Sequence, residues 1–476
     1  MLVQSSVNHI KDSESVIIFP IYAEGRVCCK IKDSLGYDLS NDVDRTFKKI
    51  TKVNTFGKMT AKYIYFVGLG SDKEISYKKL EDAFSAVVRV VEEDVVTVDL
   101  KRAISLELDI LEVAKAFGVA SYVATYEFTK VNKEVSAEKR YELVSDVDLT
   151  VAINSAVILG KAINNARTLG DTPSNLFTPN EFEDYAVNLA KELNVEISVL
   201  RNKQLKEIGA TGLLAVNQGS DIEARLLILK YNGGADKPYT ALVGKGVTFD
   251  TGGYNLKPST GMTSMKGDMC GAANIISAFE VIVKEKMPVN VYAIVSTTEN
   301  MINGSAYKCD DVITMLNKLT VEVTNTDAEG RIVLGDAITY ACGLNVNRII
   351  DAATLTGAVG IAVGRHYTGT FTNDDSFYQE FVNAAEKTGE NIWRLPLDDV
   401  FTSAVKKSSV ADLVNSTGSV GGGASIGAAF LQEFVEEGVS WIHLDIAGAS
   451  KQTEKSDIRT GGSTGVMVRT ISELFK

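Results

Sequence analysis

From about residue 190 onward, short and nearly unbroken apolar runs alternate with helical patterns, and this alternation restricts the fold more than any other feature. The runs are VEISVL (195–200), ARLLILKY (224–231), TALVGKGVTF (240–249), VNVYAIVS (289–296), RIIDAATL (348–355) and WIHLDIA (441–447). Strands apolar on both faces must be covered on both sides, as in parallel or mixed sheets of α/β folds. Helical patterns follow several of them, at CGAANIISAFEVIVKEK (270–286), GRIVLGDAITYACG (330–343) and IGAAFLQEFVEEG (426–438). The expected fold class is therefore α/β, its C-terminal domain built on a mixed, largely parallel sheet flanked by helices. Such sheets bind ligands beyond the carboxyl ends of their strands, so the residues just after each run are where chemistry is expected.

The first third follows the same grammar. SVIIFPIYA (15–23) and YIYFVGLG (63–70) have the pattern of buried strands, and KLEDAFSAVVRVVEE (79–93) that of an amphipathic helix. No chemical constellation accompanies them, so residues 1–150 are expected to form an α/β domain with a structural, assembly or regulatory role. LTVAINSAVILGKAINNARTLG (149–170) carries small and apolar residues at helical spacing and predicts a connecting helix over 151–170, capped by Gly170. A further helix follows DTPSNLFTPN, with Thr178 or Asn180 as its cap. Residues 171–476 are left for the C-terminal domain.

Composition excludes several function classes. The 476 residues carry 49 Lys+Arg against 61 Asp+Glu, a net charge of −12, with no basic block. Bulk charge therefore does not favour nucleic acid or an anionic membrane. No stretch approaches the ~18 apolar residues that span a bilayer, and MLVQSSVNHIKDSES has no secretory pattern, so a cytoplasmic location is expected. The five cysteines, Cys28, Cys29, Cys270, Cys309 and Cys342, form neither a disulfide framework nor a CxxC knuckle. The three histidines, His9, His366 and His443, offer no pair at ligand spacing. Any bound metal must be held mainly by carboxylates.

Three strand ends carry an unusual polar load. The first is Gly244-Lys245-Gly246-Val247-Thr248-Phe249-Asp250-Thr251-Gly252-Gly253, continuing to Lys257. Asp268 follows in MKGDMCGAAN, and Asn325-Thr326-Asp327-Ala328-Glu329-Gly330-Arg331 opens a predicted helix. Singly, each acid has an ordinary alternative, since Asp before a helix is a common N-cap. Together, Asp250, Asp268, Asp327 and Glu329 would repel one another in one cleft, and some would have to protonate. Two divalent cations cancel four carboxylate charges, and oxygen donors suit Mn²⁺, Mg²⁺ and Zn²⁺.

The segments VGKGVTFDTGGYNLKPSTGM, MKGDMCGAA and NTDAEGRIVLGDA closely resemble the signature of the leucyl (cytosol) aminopeptidase family. ARTLGDTPSNLFTP (166–179), ENMINGSA (299–306), DAATLTGA (351–358) and WIHLDIAG (441–448) extend the likeness over about 160–470. The resemblance implies a metal-dependent aminopeptidase that removes leucine and other, mostly apolar, N-terminal residues through a water bridging two metal ions. It implies that Asp250 and Glu329 bridge the two ions and that Asp327 is a further ligand of the more exchangeable one. Lys245, as a neutral amine, and Asp268 would complete the tighter site. Lys257 and Arg331 match the two catalytic positions, the first polarising the scissile carbonyl and the second holding a bicarbonate-like anion. Met265 matches a substrate-pocket position. Peptides with a free N-terminus would be the substrates, Mn²⁺ or Zn²⁺ the metals with Mg²⁺ a further option, and a homohexamer the assembly.

The chain departs from the family at Lys308-Cys309-Asp310-Asp311 and at Gly170-Asp171-Thr172-Pro173. Ser463, near the expected pocket, argues against assuming strict leucine preference. Three other readings compete. Gly423-Ala424-Ser425-Ile426-Gly427 matches GxSxG, yet a glycine-rich loop precedes it and His443 comes before Asp445. DNA binding by the first domain, known among relatives, is not supported by charge. A two-metal phosphoesterase would share the ligands but not the need for a free amine.

Overall fold

The structure, a computed structural model, describes residues 2–5, 16–106, 108–130, 139–452, 454–456 and 461–476. His9 lies outside these residues. The chain divides into two compact units, one of residues 1–164 with 454–461 and the other of 165–453 with 462–476. The division falls inside a single helix, Thr150–Asp171. Gly170 does not cap that helix, because the helix runs one residue past it. A Cβ at Gly170 would lie 2.6 Å from Ser463 Oγ and 2.7 Å from Cys270 Sγ, so close packing explains the glycine.

The first unit contains strands β1 (Leu2–Ser5), β2 (Val16–Tyr22), β3 (Ile50–Asn54), β4 (Tyr63–Gly70), β5 (Val95–Asp99) and β6 (Arg140–Val144). They form one sheet in the order β1-β6-β5-β2-β4-β3, parallel throughout except for β3 against β4. The helix Tyr77–Val90 buries Leu80, Ala83, Phe84, Val87 and Val88, a stripe at 3.6-residue spacing. Ser76 caps its start by accepting from the Lys79 amide. Asp109 and Glu112 close a capping box on the helix Ile110–Val123. Phe84, Phe117 and Tyr141 meet edge to face at 5.1 and 5.3 Å, which ties helices and sheet into one core.

The second unit is built on eight strands: β7 (Glu196–Arg201), β8 (Arg225–Asn232), β9 (Tyr239–Asp250), β10 (Asn290–Asn300), β11 (Val346–Ala353), β12 (Thr368–Thr372), β13 (Ile392–Arg394) and β14 (Ser440–Asp445). Their order is β13-β12-β14-β11-β9-β10-β8-β7. The central four, β14-β11-β9-β10, run parallel, while β8 and β12 run antiparallel to their inner neighbours. The expected mixed, largely parallel sheet is present. β12 and β13 are additions: TGTFT and IWR are too short and too polar to stand out as apolar runs.

Two helices cover opposite faces of this sheet. A Cβ on Gly244 would lie 2.5 Å from Ala272 of the helix Cys270–Lys284, whereas a Cβ on Gly330 of the helix Glu329–Cys342 would lie 2.7 Å from Lys245. Residues 244 and 245 are adjacent on β9 and so point to opposite faces. From β9 the chain crosses to β10 on one side and then to β11 on the other. The strand order thus reverses beside β9, where open α/β sheets form their binding crevice. No helix among the described residues is long and apolar enough to cross a membrane.

Candidate metal centre

The carboxyl ends of the parallel strands present their polar residues at this reversal. β9 ends at Asp250, β10 at Asn300 directly opposite it in register, and β11 leads into Thr354. Asp268 lies ahead of the helix Cys270–Lys284 but does not cap it. Lys245 Nζ sits 2.8 Å from both carboxylate oxygens of Asp268, and Thr354 Oγ1 donates to Asp268 Oδ1 at 2.8 Å. Asp327 and Glu329 arrive on the loop opening the helix Glu329–Cys342, and that helix also has no side-chain cap. The ordinary capping alternative therefore fails for both aspartates.

The loop is held by the small sheet Val312–Thr314, Thr320–Glu322 and Leu413–Val414. That sheet delivers the buried Asn415 beneath the loop. Asn415 Oδ1 accepts from the amides of Thr324 and Asn325 at 2.8 and 3.2 Å, and Nδ2 donates to the Asn325 carbonyl at 2.7 Å.

The five predicted ligands converge. Lys245 Nζ, 2 % exposed, lies 2.8 Å from Glu329 Oε1 and donates to the Thr354 carbonyl at 3.0 Å. Lys257 Nζ lies 2.7 Å from Asp250 Oδ2 and 2.5 Å from Asp327 Oδ1. Asp250, Asp327 and Glu329 each offer a carboxylate oxygen within 4.8 Å of the others, an arrangement able to hold a metal ion. Of these, Asp250 and Glu329 are buried and Asp327 is half-buried.

The electrostatics fit a cation. Burial, reinforced by the Glu329 charge, lifts Asp250 to about 6. Burial lifts Asp268 to about 8 against the pull of Lys245, with Glu329 and Asp250 adding to the rise. Burial also raises Asp327, although Lys257 opposes it. For Glu329 the opposing cations win over burial, Lys245 above all, and its pKa falls. Like charges gathered out of water demand positive charge beside them.

Arg331 stands apart from this cluster. It is buried, donates from Nη1 to the Asn415 carbonyl at 2.8 Å, and leaves Nε without a partner. Burial pulls it down to about 10 while Glu329 and Asp445 push it up. A desolvated guanidinium with a free donor is suited to an anion.

Gly330 is required by this packing, because any side chain there would drive into the Lys245 amine. Gly330→Ala is expected to displace Lys245 and weaken divalent-cation binding about tenfold or more; titration calorimetry with Mn²⁺ checks this.

Met265 is half-buried in the turn Met265–Gly267, and its carbonyl accepts from the Asp268 amide at 3.2 Å. Cys309, at one departure from the family, reaches the site's edge: its thiol lies 3.1 Å from Asn255 Oδ1 in the loop that carries Lys257. At the other departure Gly170-Asp171 is helical, and Asp171 Oδ1 accepts from both the Ser463 amide and hydroxyl at 2.9 Å. Ser425 is buried in the first turn of the helix Gly423–Gln432, and His443 Nδ1 lies 2.6 Å from Asp351. Ser425 therefore presents no exposed nucleophile on a strand-to-helix elbow, and His443 has a carboxylate partner of its own.

Sequence reasoning gave no role to Asn300, Thr326 or Thr354. The advance signals for Asn300 and Thr354 were their places near the ends of apolar runs and inside the family-like segments ENMINGSA and DAATLTGA.

The cytosol aminopeptidase family's catalytic domain matches residues 164–472, and its N-terminal domain matches residues 46–134. The chain belongs to the cytosol aminopeptidase family. It is similar to the bottromycin maturation enzyme BotP, at 31 % identity over 97 % of this chain and 98 % of that one, with a TM-score of 0.86. A second structure, BotP in complex with Mn, matches at 30 % identity over 97 % and 99 % of the two chains, with a TM-score of 0.87. Membership makes this protein a metal-dependent aminopeptidase by class, a hydrolase acting on peptides. The phosphoesterase and serine-hydrolase readings fall away.

Proposed function

We propose that this protein removes N-terminal residues from peptides, leucine and other apolar residues first among them, using two divalent cations held by Lys245, Asp250, Asp268, Asp327 and Glu329. The observation that carries the reading is the convergence of Asp250, Asp327 and Glu329 within 4.8 Å. When bound, the cations supply Lewis acidity and a water activated at neutral pH. Mn²⁺ is the first candidate because a similar protein has been solved with Mn; Zn²⁺ and Mg²⁺ suit the same donors.

The chain's own residues have separable tasks. Asp250, Glu329 and Asp327 would hold the cations through their carboxylates, with Lys245 and Asp268 completing the donor set. Lys245 binds as the free amine. Its ammonium form is held by Asp268, Glu329 and Asp250 against the pull of burial, so cation binding must release a proton there. Lys257 puts a positive charge where negative charge grows on the attacked carbonyl oxygen. Arg331, with its unpaired Nε donor, would hold a bicarbonate-like anion, which would supply a proton carrier beside the site.

The reading extends to a substrate pocket touched by Met265, a homohexameric assembly, a cytoplasmic location, and a structural or regulatory role for the first unit. Similarity to a maturation enzyme supports a preference not fixed on leucine.

The discriminating experiment compares leucyl-anilide with its N-acetylated form on the Mn²⁺-loaded protein. Hydrolysis of the free amine alone, abolished by chelation and restored by Mn²⁺, is the expected result. Equal turnover of both substrates would contradict the reading.

A further inference from the structure

Asn300 is fully buried at the end of β10, and its amide is used in one direction only. Nδ2 donates to Asp250 Oδ1 at 2.8 Å and to the Thr326 carbonyl at 3.1 Å, while Oδ1 has no partner. The opposite orientation would set the amide oxygen against two acceptors, so the donor orientation is forced. The two bonds reach both segments of the centre: Asp250 on β9, and the peptide immediately before Asp327.

Both acceptors are otherwise braced. Asp250 Oδ1 also takes the Gly252 amide at 2.8 Å, which leaves Oδ2 as the oxygen turned to Lys257 and the cleft. The Thr326 carbonyl also accepts the Tyr307 hydroxyl at 2.7 Å. Thr326 Oγ1 donates to the Gly252 carbonyl at 2.6 Å and accepts from the Asn255 amide at 2.8 Å, clasping the Lys257 loop to the Asp327 loop.

We infer that Asn300 is a positioning residue for the metal centre, whose two donated bonds fix which oxygen Asp250 offers and where Asp327 stands. This rests on the cation-binding reading above. It assigns to Asn300 no contact with substrate or cation. Asparagine is specifically suited, because aspartate fills the same volume but brings no donor and places a second negative charge against Asp250.

The test titrates Mn²⁺ alone into metal-stripped wild type, Asn300→Asp and Asp327→Ala by calorimetry, with thermal unfolding of each metal-free protein alongside. The expected result for Asn300→Asp is a Mn²⁺ affinity lowered about 10- to 100-fold, the range seen when partners of metal ligands are removed. Because the new carboxylate is itself buried against Asp250, the metal-free melting temperature falls as well; Asn300→Ser, which adds no charge, separates the two effects by losing Mn²⁺ affinity with a smaller drop in melting temperature. Asn300→Ser keeps one donor and should fall between the two; it carries the test if the aspartate variant does not fold. Wild-type affinity in the Asn300 variants, with binding lost in Asp327→Ala, overturns the role of Asn300 alone. Undiminished binding in Asp327→Ala overturns the cation-binding reading and this inference with it.

Discussion

Glu329→Gln is expected to lower kcat/KM for leucyl-anilide by about 10³-fold or more, with the protein still folded, because several kcal/mol of charge stabilisation would depend on the cations it is proposed to hold. Glu329 is 2 % exposed, at the start of the helix Glu329–Cys342, with Lys245 Nζ 2.8 Å from one oxygen. The amide has the same shape, so the helix start and the packing under Gly330 are kept. Charge is what changes. Four carboxylates become three, and the one lost is among the three that offer oxygens within 4.8 Å of one another. Lys245 retains Asp268 at 2.8 Å and is not left as an unpaired buried cation. The measurements are metal content after dialysis, steady-state kinetics, and circular dichroism as the control. A folded Glu329→Gln protein with full activity and two bound cations would remove this residue from the centre.

Much of the architecture was legible because buried parallel strands leave long apolar runs. TALVGKGVTF and YIYFVGLG coincide almost residue for residue with β9 and β4. Edge elements were not: TGTFT and IWR carry too few apolar residues for periodicity to register. The helix expected over 426–438 ends at Gln432. The chain leaves the helix there, yet Phe434 just beyond stays buried in the core. Their places near predicted strand ends marked Asp250, Asp268, Asp327 and Glu329 as candidates, whereas their convergence is a property of the folded chain that the sequence alone does not show. Asn300, Thr326 and Asn415 escaped for a physical reason. Their work is hydrogen bonding across chain separations of tens of residues, such as Asn300 to Asp250 at 2.8 Å and Asn415 to Thr324 at 2.8 Å. A buried amide that braces a loop looks, in sequence, like any other polar residue at a strand end.

Lys257→Ala is expected to lower kcat by about 10²- to 10³-fold, the usual consequence of removing one group that stabilises developing negative charge. KM should change far less, because the interaction is strongest in the transition state. The surroundings set this apart from a ligand substitution. The Lys257 side chain is 16 % exposed and bridges Asp250 Oδ2 and Asp327 Oδ1 at 2.7 and 2.5 Å. Burial pulls its pKa down, but Asp250 and Asp327 outweigh that, so the ammonium persists. Deleting it frees the oxygens of two proposed ligands and removes a positive charge that repels incoming cations. Mn²⁺ affinity should therefore hold or rise while turnover collapses. That opposition separates Lys257 from Lys245, whose replacement by alanine should weaken binding and turnover together. Kinetics across substrate concentration, with calorimetric titration of the same preparation, distinguish the two lysines: a Lys257→Ala protein that lost its cations would belong with the ligands, and one with unchanged kcat would have no part in the chemistry.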